Sequence, residues 1–308
     1  MKKNSILPHI IAICIAASLW GVDGVILTPK LYQLDVSFVV FIIHFIPFVL
    51  MSIFLFKEYE KLKYFTKQDF FLFTLLAIAG GSLGTLSIVK ALFLVNFQKL
   101  TIVVLLQKLQ PVFAITLSII FLKEKVNIRF IIWASVAVIA AYIMAFGFEL
   151  PEADFSNNAI KAYLYAAAAA LFFASGTVIS RKIATRHSFH TATFYRYGFT
   201  TLFMLLIVSS FGTITNITQA TFNNWIVIVI ISLTVGSGAI FLYYFGMLKV
   251  KASVATICEL FFPLTAVILD LILHGNQLTI IQWFATALLI ISILAITKSN
   301  VTKETKLL

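Results

Sequence analysis

The stretch Leu100–Leu122, which reads LTIVVLLQKLQPVFAITLSIIFL, is apolar at both ends and polar in the middle. A helix of about 20 apolar residues is long enough to cross the hydrocarbon core of a bilayer. The polar centre holds Gln107, Lys108 and Gln110, followed by Pro111. Polar groups at this depth are costly against lipid and normally face the interior of a helix bundle. The stretch therefore predicts a membrane-spanning helix with one polar face turned towards other helices.

Nine further apolar runs of similar length accompany this one. Hydrophobic residues make up 61% of the 308-residue chain and charged residues only 11%, whereas soluble globular proteins average about 45–50% and about 25%. This composition excludes a soluble enzyme, a disordered tail and a nucleic-acid-binding domain, despite the net charge of +11. We predict an all-α integral membrane protein with ten transmembrane helices, because the runs do not alternate as barrel strands do. The predicted spans are His9–Thr28, Val36–Phe56, Phe70–Lys90, Leu100–Leu122, Ile128–Phe148, Ile160–Arg181, Thr191–Phe211, Trp225–Phe245, Ala252–Leu273 and Ile280–Thr297.

Lysine and arginine are distributed unevenly over the predicted connections. With an even number of spans both termini share one side, which collects seventeen of these residues against four on the other. Basic residues in short loops mark the cytoplasmic side. We therefore predict a multi-pass protein of the cytoplasmic cell membrane with both termini in the cytoplasm. Lys2 and Lys3 would also suit a cleaved signal peptide, but the first apolar run continues towards Pro29, so we expect this span to be retained.

The chain resembles itself when it is shifted by 152 positions. The fourth predicted span then falls on the ninth, with Pro111 on Pro263 and Glu124 on Asn276. We predict two five-helix repeats, residues 1–148 and 149–308. Because five is odd, the second repeat enters the membrane from the opposite face. Inverted repeats of this kind are common in secondary transporters, whose substrate site lies near the midplane between the repeats.

Several of these residues also resemble the repeat signature of the EamA family in the drug/metabolite transporter superfamily. That signature runs from an Ala-Leu pair, through a Pro in the fourth span, to a Glu after it. The chain carries it as Ala91-Leu92, Gln110-Pro111-Val112 and Leu122-Lys123-Glu124-Lys125, with Trp20-Gly21 and Arg196 also similar to the family. The second copy keeps Pro263 but has Asn276 in place of the Glu. The resemblance implies a ten-helix carrier that exports or imports small metabolites, and it leaves the substrate open.

Two charged residues lie near the middle of predicted spans. At 1.5 Å per residue, Lys108 and Glu259 are each about 10–12 Å from the nearer membrane face, where a charge costs roughly 2.5–3.5 kcal/mol on insertion scales. We expect the two to pair across the axis between the repeats. Glu259 is then a candidate for binding a substrate ammonium or a coupling proton, and Lys108 for binding a substrate carboxylate. A static ion bridge that joins two helices is the structural alternative.

Further polar and aromatic residues complete the predicted substrate site. Gln107 and Gln110 flank Lys108 and are expected to line the same cavity. Asp23 lies about one helical turn beyond Trp20. An aromatic face beside a carboxylate could bind an organic cation or an amino group.

Three residues are predicted to control movement. Pro111 and Pro263 each remove one helical hydrogen bond, which suits a hinge, although a fixed bend for packing is the alternative. Arg196 comes early in the seventh span. We expect it near the cytoplasmic face, where it would gate the substrate or anchor the helix to lipid headgroups.

These patterns predict a secondary active transporter that exports a small polar or zwitterionic metabolite, such as an amino acid, by alternating access, with the proton as a candidate coupling ion. The first alternative is an organic-cation carrier that uses Trp20, Asp23 and Glu259. The second is an integral-membrane enzyme acting on lipid precursors, for which Glu58, Glu60 and Asp69 form the only candidate cluster.

Motifs of other chemistries are missing from the sequence. It has no nucleotide-binding loop and no zinc-protease or serine-hydrolase motif. We therefore predict a protein that is not an enzyme and that needs no metal and no cofactor. The expected partners are a small-molecule substrate and the lipid bilayer, without nucleic acid, for a monomer or a homodimer.

Overall fold

Ten long helices make up the molecule. The computed structural model describes residues 5–95, 100–148, 156–275 and 277–306. Within them ten helices are long and apolar enough to cross a membrane and no strand occurs, which confirms the predicted fold class of a multi-pass membrane protein. In order, the spans are Leu7–Leu31, Val36–Phe54, Lys67–Ala91, Leu105–Leu122, Ile128–Phe146, Asn157–Ala184, Phe189–Ser210, Phe222–Met247, Ala252–Leu273 and Ile280–Lys298.

The fourth and ninth spans are both interrupted in the middle. The fourth consists of the helical segments Leu100–Gln107 and Gln110–Leu122. The ninth consists of Ala252–Cys258 and Phe261–His274. The two interruptions therefore lie at nearly the same place in the two halves of the chain.

Proline explains both interruptions. Pro111 and Pro263 lie just beyond the two breaks, and each lacks the N–H that would bond to the carbonyl four residues earlier. The backbone tightens there instead: the Lys108 amide donates to the carbonyl three residues back at 3.0 Å, and the Phe262 amide does the same to Glu259 at 2.9 Å. Each break thus contains a tighter turn, with hydrogen bonds between residues three apart.

The third and eighth spans widen into π-helical turns, at Ala77–Leu83 and Ser232–Gly236. In each widened turn a serine hydroxyl donates to the carbonyl five residues earlier: Ser82 does so at 2.8 Å and Ser237 at 2.7 Å. Such π-turns are rare and often occur at functional sites. The first span has a further one, at Asp23–Leu27.

Short elements connect the spans, and polar residues begin most of the long helices. The short elements are Glu58–Lys61, Leu62–Tyr64 and Thr213–Thr218. Helices start at side chains that accept hydrogen bonds from free backbone amides; these N-caps are Asp35, Thr66, Asn127, Ser156, Ser188 and Thr221.

The main contacts between spans are unchanged when the two halves of the chain are exchanged. The first span packs against the eighth and ninth, and the sixth packs correspondingly against the third and fourth. The second packs on the seventh, the fifth on the tenth and the fourth on the ninth. When each span number from one to five is raised by five and each from six to ten is lowered by five, every one of these pairs becomes another of them or itself. The predicted boundary at 148/149 borders residues 149–155, which lie outside the described residues, as do Lys99 and Asn276.

Candidate functional site

A cavity lies between seven of the ten spans. Its empty volume, including space open to its surroundings, is about 370 Å³. The interrupted ninth span and the widened third span both contribute to its wall. The lining residues are Trp20, Gly80, Gln110, Phe173, Gly176, Thr177, Ser180, Arg196, Ile240, Tyr243 and Glu259.

Glu259 lies at the centre of this wall because it occupies the break in the ninth span. Its carboxylate accepts hydrogen bonds from three side chains of three other spans. The Tyr243 hydroxyl donates to one oxygen at 2.7 Å and the Gln110 amide to the other at 2.9 Å. Thr177 donates from 3.1 Å. A buried carboxylate needs such partners, and here they leave little of its accepting capacity free.

Aromatic rings form a second part of the wall. The Trp20 ring lies 5.4 Å from the ring of Tyr243, measured between centroids, and is tilted by 52°. Phe173 also lines the cavity. Rings at such distances offer flat apolar surfaces on which a planar ligand can stack. Tyr243 therefore has two roles, since its ring packs on Trp20 while its hydroxyl binds Glu259.

Arg196 also lines the cavity, and this corrects the expectation that it lies at the cytoplasmic edge. It is the eighth residue of the span Phe189–Ser210, so at 1.5 Å per residue it is about 10 Å from the helix start. Glu259 is the eighth residue of its own span, which starts from the same face in the predicted topology. The Nε atom of Arg196 is buried and has no hydrogen-bond partner in the described structure.

Three residues of the predicted substrate site do not line the cavity. Lys108 is half-buried at the break of the fourth span and forms no ion pair with Glu259 in the described structure, so the expected pair is absent. Gln110, which begins the helical segment after the break, faces Glu259 in its place. Gln107 is likewise outside the lining. Asp23 is turned to its own helix, where it accepts from the Thr28 hydroxyl at 3.0 Å.

Glycine allows the spans around the cavity to approach closely. Gly80 of the third span meets Gly176 of the sixth, and a Cβ atom added to Gly176 would lie only 2.9 Å from the Gly80 Cα. Small residues commonly allow this contact between membrane helices. Both glycines line the cavity, so the crossing of these spans shapes the site.

The face at which the first span begins is held together by charged side chains. Glu124, which follows the fourth span, accepts from the amides of Ala252 and Ser253 at 2.8 and 3.0 Å and from the Ser253 hydroxyl at 2.6 Å. Arg181, at the end of the sixth span, donates to the carbonyl of Met247. The Glu124 contacts join the fourth span to the ninth, across the two halves of the chain, whereas the Arg181 contact joins the sixth span to the eighth within the second half.

Sequence reasoning missed several lining residues. Thr177 and Tyr243 bind Glu259, yet Thr177 is an ordinary residue in an alanine-rich span. Tyr243 is only weakly indicated as a site residue by the sequence, because its hydroxyl lies in an apolar run and needs a hydrogen-bond partner. Neither has a polar counterpart in the other half, where Tyr243 falls on Ala91 under the 152-residue shift. The repeat comparison therefore could not find them.

Two of the three carboxylates considered for an enzyme, Asp69 and Glu58, have structural partners. Asp69 accepts from Arg186 at 2.7 Å and from His187 at 2.9 Å, and it raises the pKa of the Arg186 guanidinium. Glu58 pairs with Lys61 at 2.7 Å. Among the described residues no group of three or more His, Cys, Asp and Glu could hold a metal ion.

Comparison with known proteins shows a close relative by sequence and a similar solved structure. The chain is 48% identical, over 289 residues, to the riboflavin transporter ImpX of Fusobacterium nucleatum subsp. nucleatum, and the match covers 94% of this chain and 97% of that protein. A protein of known crystal structure matches with a TM-score of 0.66 over 94% of this chain and 97% of its own, at 15% identity, which shows the fold alone.

The sequence profile of the EamA-like transporter family matches residues 7–146 and again residues 160–298. The two matches together cover most of the chain, and the resemblance noted in the sequence is confirmed. With the transporter relative at 48% identity, they show a transporter rather than an enzyme. The chain belongs to the EamA-like transporter family.

Proposed function

We propose that this transporter carries riboflavin and that the cavity around Glu259 is its substrate site. The observation that carries the proposal is the 48% identity, over nearly the full length of both chains, to a riboflavin transporter. Proteins this similar usually share their substrate, but the assignment has to be supported by the site itself.

The lining of the cavity supports a flavin. The ring system of riboflavin is flat and aromatic, and its edge carries carbonyl oxygens and ring nitrogens. The half-buried rings of Trp20 and Phe173 supply surfaces for stacking. Arg196 supplies a buried donor without a partner, which can bind a carbonyl oxygen of the ring. The cavity thus combines apolar walls with a few polar groups, as ligand sites do.

An amino acid or another zwitterion is the second candidate, because Glu259 and Arg196 bring opposite charges to one cavity. The carboxylate of Glu259 already accepts from Gln110, Thr177 and Tyr243. An entering ammonium would have to displace these donors, which favours riboflavin over a zwitterion. The organic-cation alternative is weakened for the same reason, and further because Asp23 binds Thr28.

Riboflavin fluorescence provides the direct test of this proposal. Purified protein in detergent is titrated into riboflavin, and we expect saturable quenching because stacking on Trp20 and Phe173 places the flavin against aromatic rings. Alanine, lysine and choline should not displace the flavin. If riboflavin shows no saturable quenching while one of these solutes stabilises the protein against heat, riboflavin is not the substrate.

We propose alternating access as the mechanism. Spans whose numbers differ by five make equivalent main contacts, so each can adopt the arrangement of the other. The breaks beside Pro111 and Pro263 are the proposed hinges. The contacts of Glu124 and Arg181 would hold one end of the cavity shut. Residues 1–148 and 149–308 are the proposed repeats, in the cytoplasmic membrane with both termini in the cytoplasm. Export stays a prediction, which uptake into vesicles of either orientation would test.

Proton coupling through Glu259 is the last part of the proposal, since Glu259 is the only carboxyl group among the residues described as lining the cavity. The variant Glu259→Gln keeps the size of the side chain but cannot bind and release a proton. We expect it to retain exchange of labelled for unlabelled riboflavin in proteoliposomes and to lose accumulation driven by a pH gradient.

The matched control is Asp23→Asn, which removes a membrane carboxyl that lies off the cavity and binds Thr28. It should accumulate riboflavin as the unchanged protein does. Gradient-driven accumulation by Glu259→Gln at the unchanged rate would show that Glu259 carries no coupling proton.

A further inference from the structure

A second pocket lies at one end of the helix bundle, and its lining residues differ from those of the substrate cavity. It has an empty volume of about 420 Å³ and lies where the fifth span begins, the ninth begins and the tenth approaches its end. Three basic side chains converge on it: Lys125, Arg129 and Lys251. Asn127, Ser253 and Trp133 add polar and aromatic groups.

The charge of this pocket is not balanced by the protein. No carboxylate is among its lining residues, and in the described structure none of the three basic side chains has a hydrogen bond or an ion pair. The nearest acidic neighbour in sequence, Glu124, is already engaged by the amides of Ala252 and Ser253. The lining itself thus carries three positive charges, and the Glu124 carboxylate, bonded to the lining residue Ser253, offsets one of them from outside the pocket.

Apolar side chains continue from the pocket along the outer surface of the bundle. On the fifth span Ile132 follows Arg129 by three residues, on the same side of the helix, and is 54% exposed. On the tenth span Leu294 adjoins the lining residue Ala295 and is 60% exposed, with Ile291 one turn away. These residues lie against the hydrocarbon when the spans cross a membrane.

We infer that this pocket binds the phosphate group of an anionic phospholipid, whose acyl chains lie along the exposed isoleucine and leucine side chains of the fifth and tenth spans. Basic pockets between membrane helices bind lipid headgroups in this way, and Lys and Arg near the surface attract anionic lipids. Trp133 lies at the depth at which tryptophan is enriched in membrane proteins. A soluble phosphate would use the three basic groups but would gain nothing from the apolar surface.

The test compares one lipid with its own soluble headgroup. Delipidated protein in detergent is titrated with phosphatidylglycerol, with zwitterionic phosphatidylcholine or with glycerol phosphate, and bound lipid is counted by native mass spectrometry. We expect phosphatidylglycerol to bind and the other two not to bind at the same concentration. Glycerol phosphate that binds as tightly as phosphatidylglycerol would mean a site for a soluble anion and would overturn the lipid assignment.

Two sets of variants locate the site. The variant Lys125→Gln, Arg129→Gln, Lys251→Gln should weaken phosphatidylglycerol binding at least about tenfold, because each basic group contributes to the attraction. The control Lys57→Gln, Lys63→Gln, Lys67→Gln removes the same charge from exposed lysines that are not in the pocket, and should bind as the unchanged protein does. The proposal is overturned if the two triple variants bind phosphatidylglycerol equally well. This holds both when they bind as the unchanged protein does and when both bind weakly.

The single variant Arg129→Gln covers the case in which the triple variant fails to fold. Arg129 is exposed and in the described structure has no partner, so its loss should leave the thermal unfolding midpoint in phosphatidylcholine unchanged. Binding of phosphatidylglycerol should still be measurably weaker than in the unchanged protein. Unchanged binding would contradict the proposal. Because no riboflavin is used, the result is independent of the proposed substrate.

Discussion

The variant Arg196→Met is expected to weaken riboflavin binding by about 10- to 100-fold. Arg196 lines the cavity, and its buried Nε atom has no partner within the described structure. A hydrogen bond to a charged group contributes about 1.5–3 kcal/mol, and 1.4 kcal/mol corresponds to about tenfold in affinity. Methionine fills a similar volume without donors. The measurement is the quenching of riboflavin fluorescence as a function of protein concentration.

Lys108→Met is the matched control for this variant. Both variants remove one positive charge from within the membrane, but Lys108 is not among the cavity residues. We expect Lys108→Met to bind riboflavin as tightly as the unchanged protein, and Arg196→Lys to recover only part of the affinity, since it restores the charge without the Nε donor. If Lys108→Met abolished binding while Arg196→Met did not, Lys108 would be the substrate residue that the sequence predicts.

Gly176→Ala is expected to destabilise the protein by about 1–3 kcal/mol and to abolish riboflavin binding. The added Cβ would lie 2.9 Å from the Cα atom of Gly80, on backbone that cannot turn away. The third and sixth spans must then separate, and overpacking of this kind typically costs the amount stated. Since both glycines line the cavity, its shape changes with the crossing. Thermal unfolding and riboflavin quenching measure the two effects.

The control for this crossing is Gly24→Ala. Its Cβ would meet only the Phe262 ring, at 3.5 Å, which is an ordinary contact. It should leave both the unfolding midpoint and the affinity unchanged. Gly80→Ala should have the same two effects as Gly176→Ala, because its Cβ would lie 3.0 Å from the Cα atom of Gly176. A Gly176→Ala protein as stable as the unchanged one would show that the two spans do not cross this closely.

The number and nature of the spans could be predicted from the sequence because they depend on local composition. A run such as Leu105–Leu122 has no stable place outside a membrane or a core, and its length alone indicates that it crosses the bilayer. The positions of Pro111 and Pro263 likewise predict two broken helices, since the missing N–H is a property of the residue itself. Glu259 could be selected as a cavity residue because an isolated carboxylate cannot be left facing lipid.

The partners of Glu259 could not be predicted in the same way. Lys108 lies in the break of the fourth span and Gln110 begins the segment after it, and only the packing of this span against the ninth decides which of the two side chains faces the carboxylate. Electrostatics favours the lysine, whereas the structure brings Gln110 to 2.9 Å. The depth of Arg196 could not be predicted either, because the seventh helix begins at Phe189, two residues before the apolar run that marks it in the sequence.

The sequence by itself determined that this chain is a ten-helix membrane protein with related halves, because the cost of exposing polar groups to hydrocarbon acts on each segment separately. Only the tertiary structure decided which side chains meet. Tyr243, Thr177 and Gln110 come from three different spans, and their meeting at one carboxylate depends on helix rotation and on close crossings such as that of Gly80 with Gly176. Those are set by contacts between segments distant in sequence, which no single segment encodes.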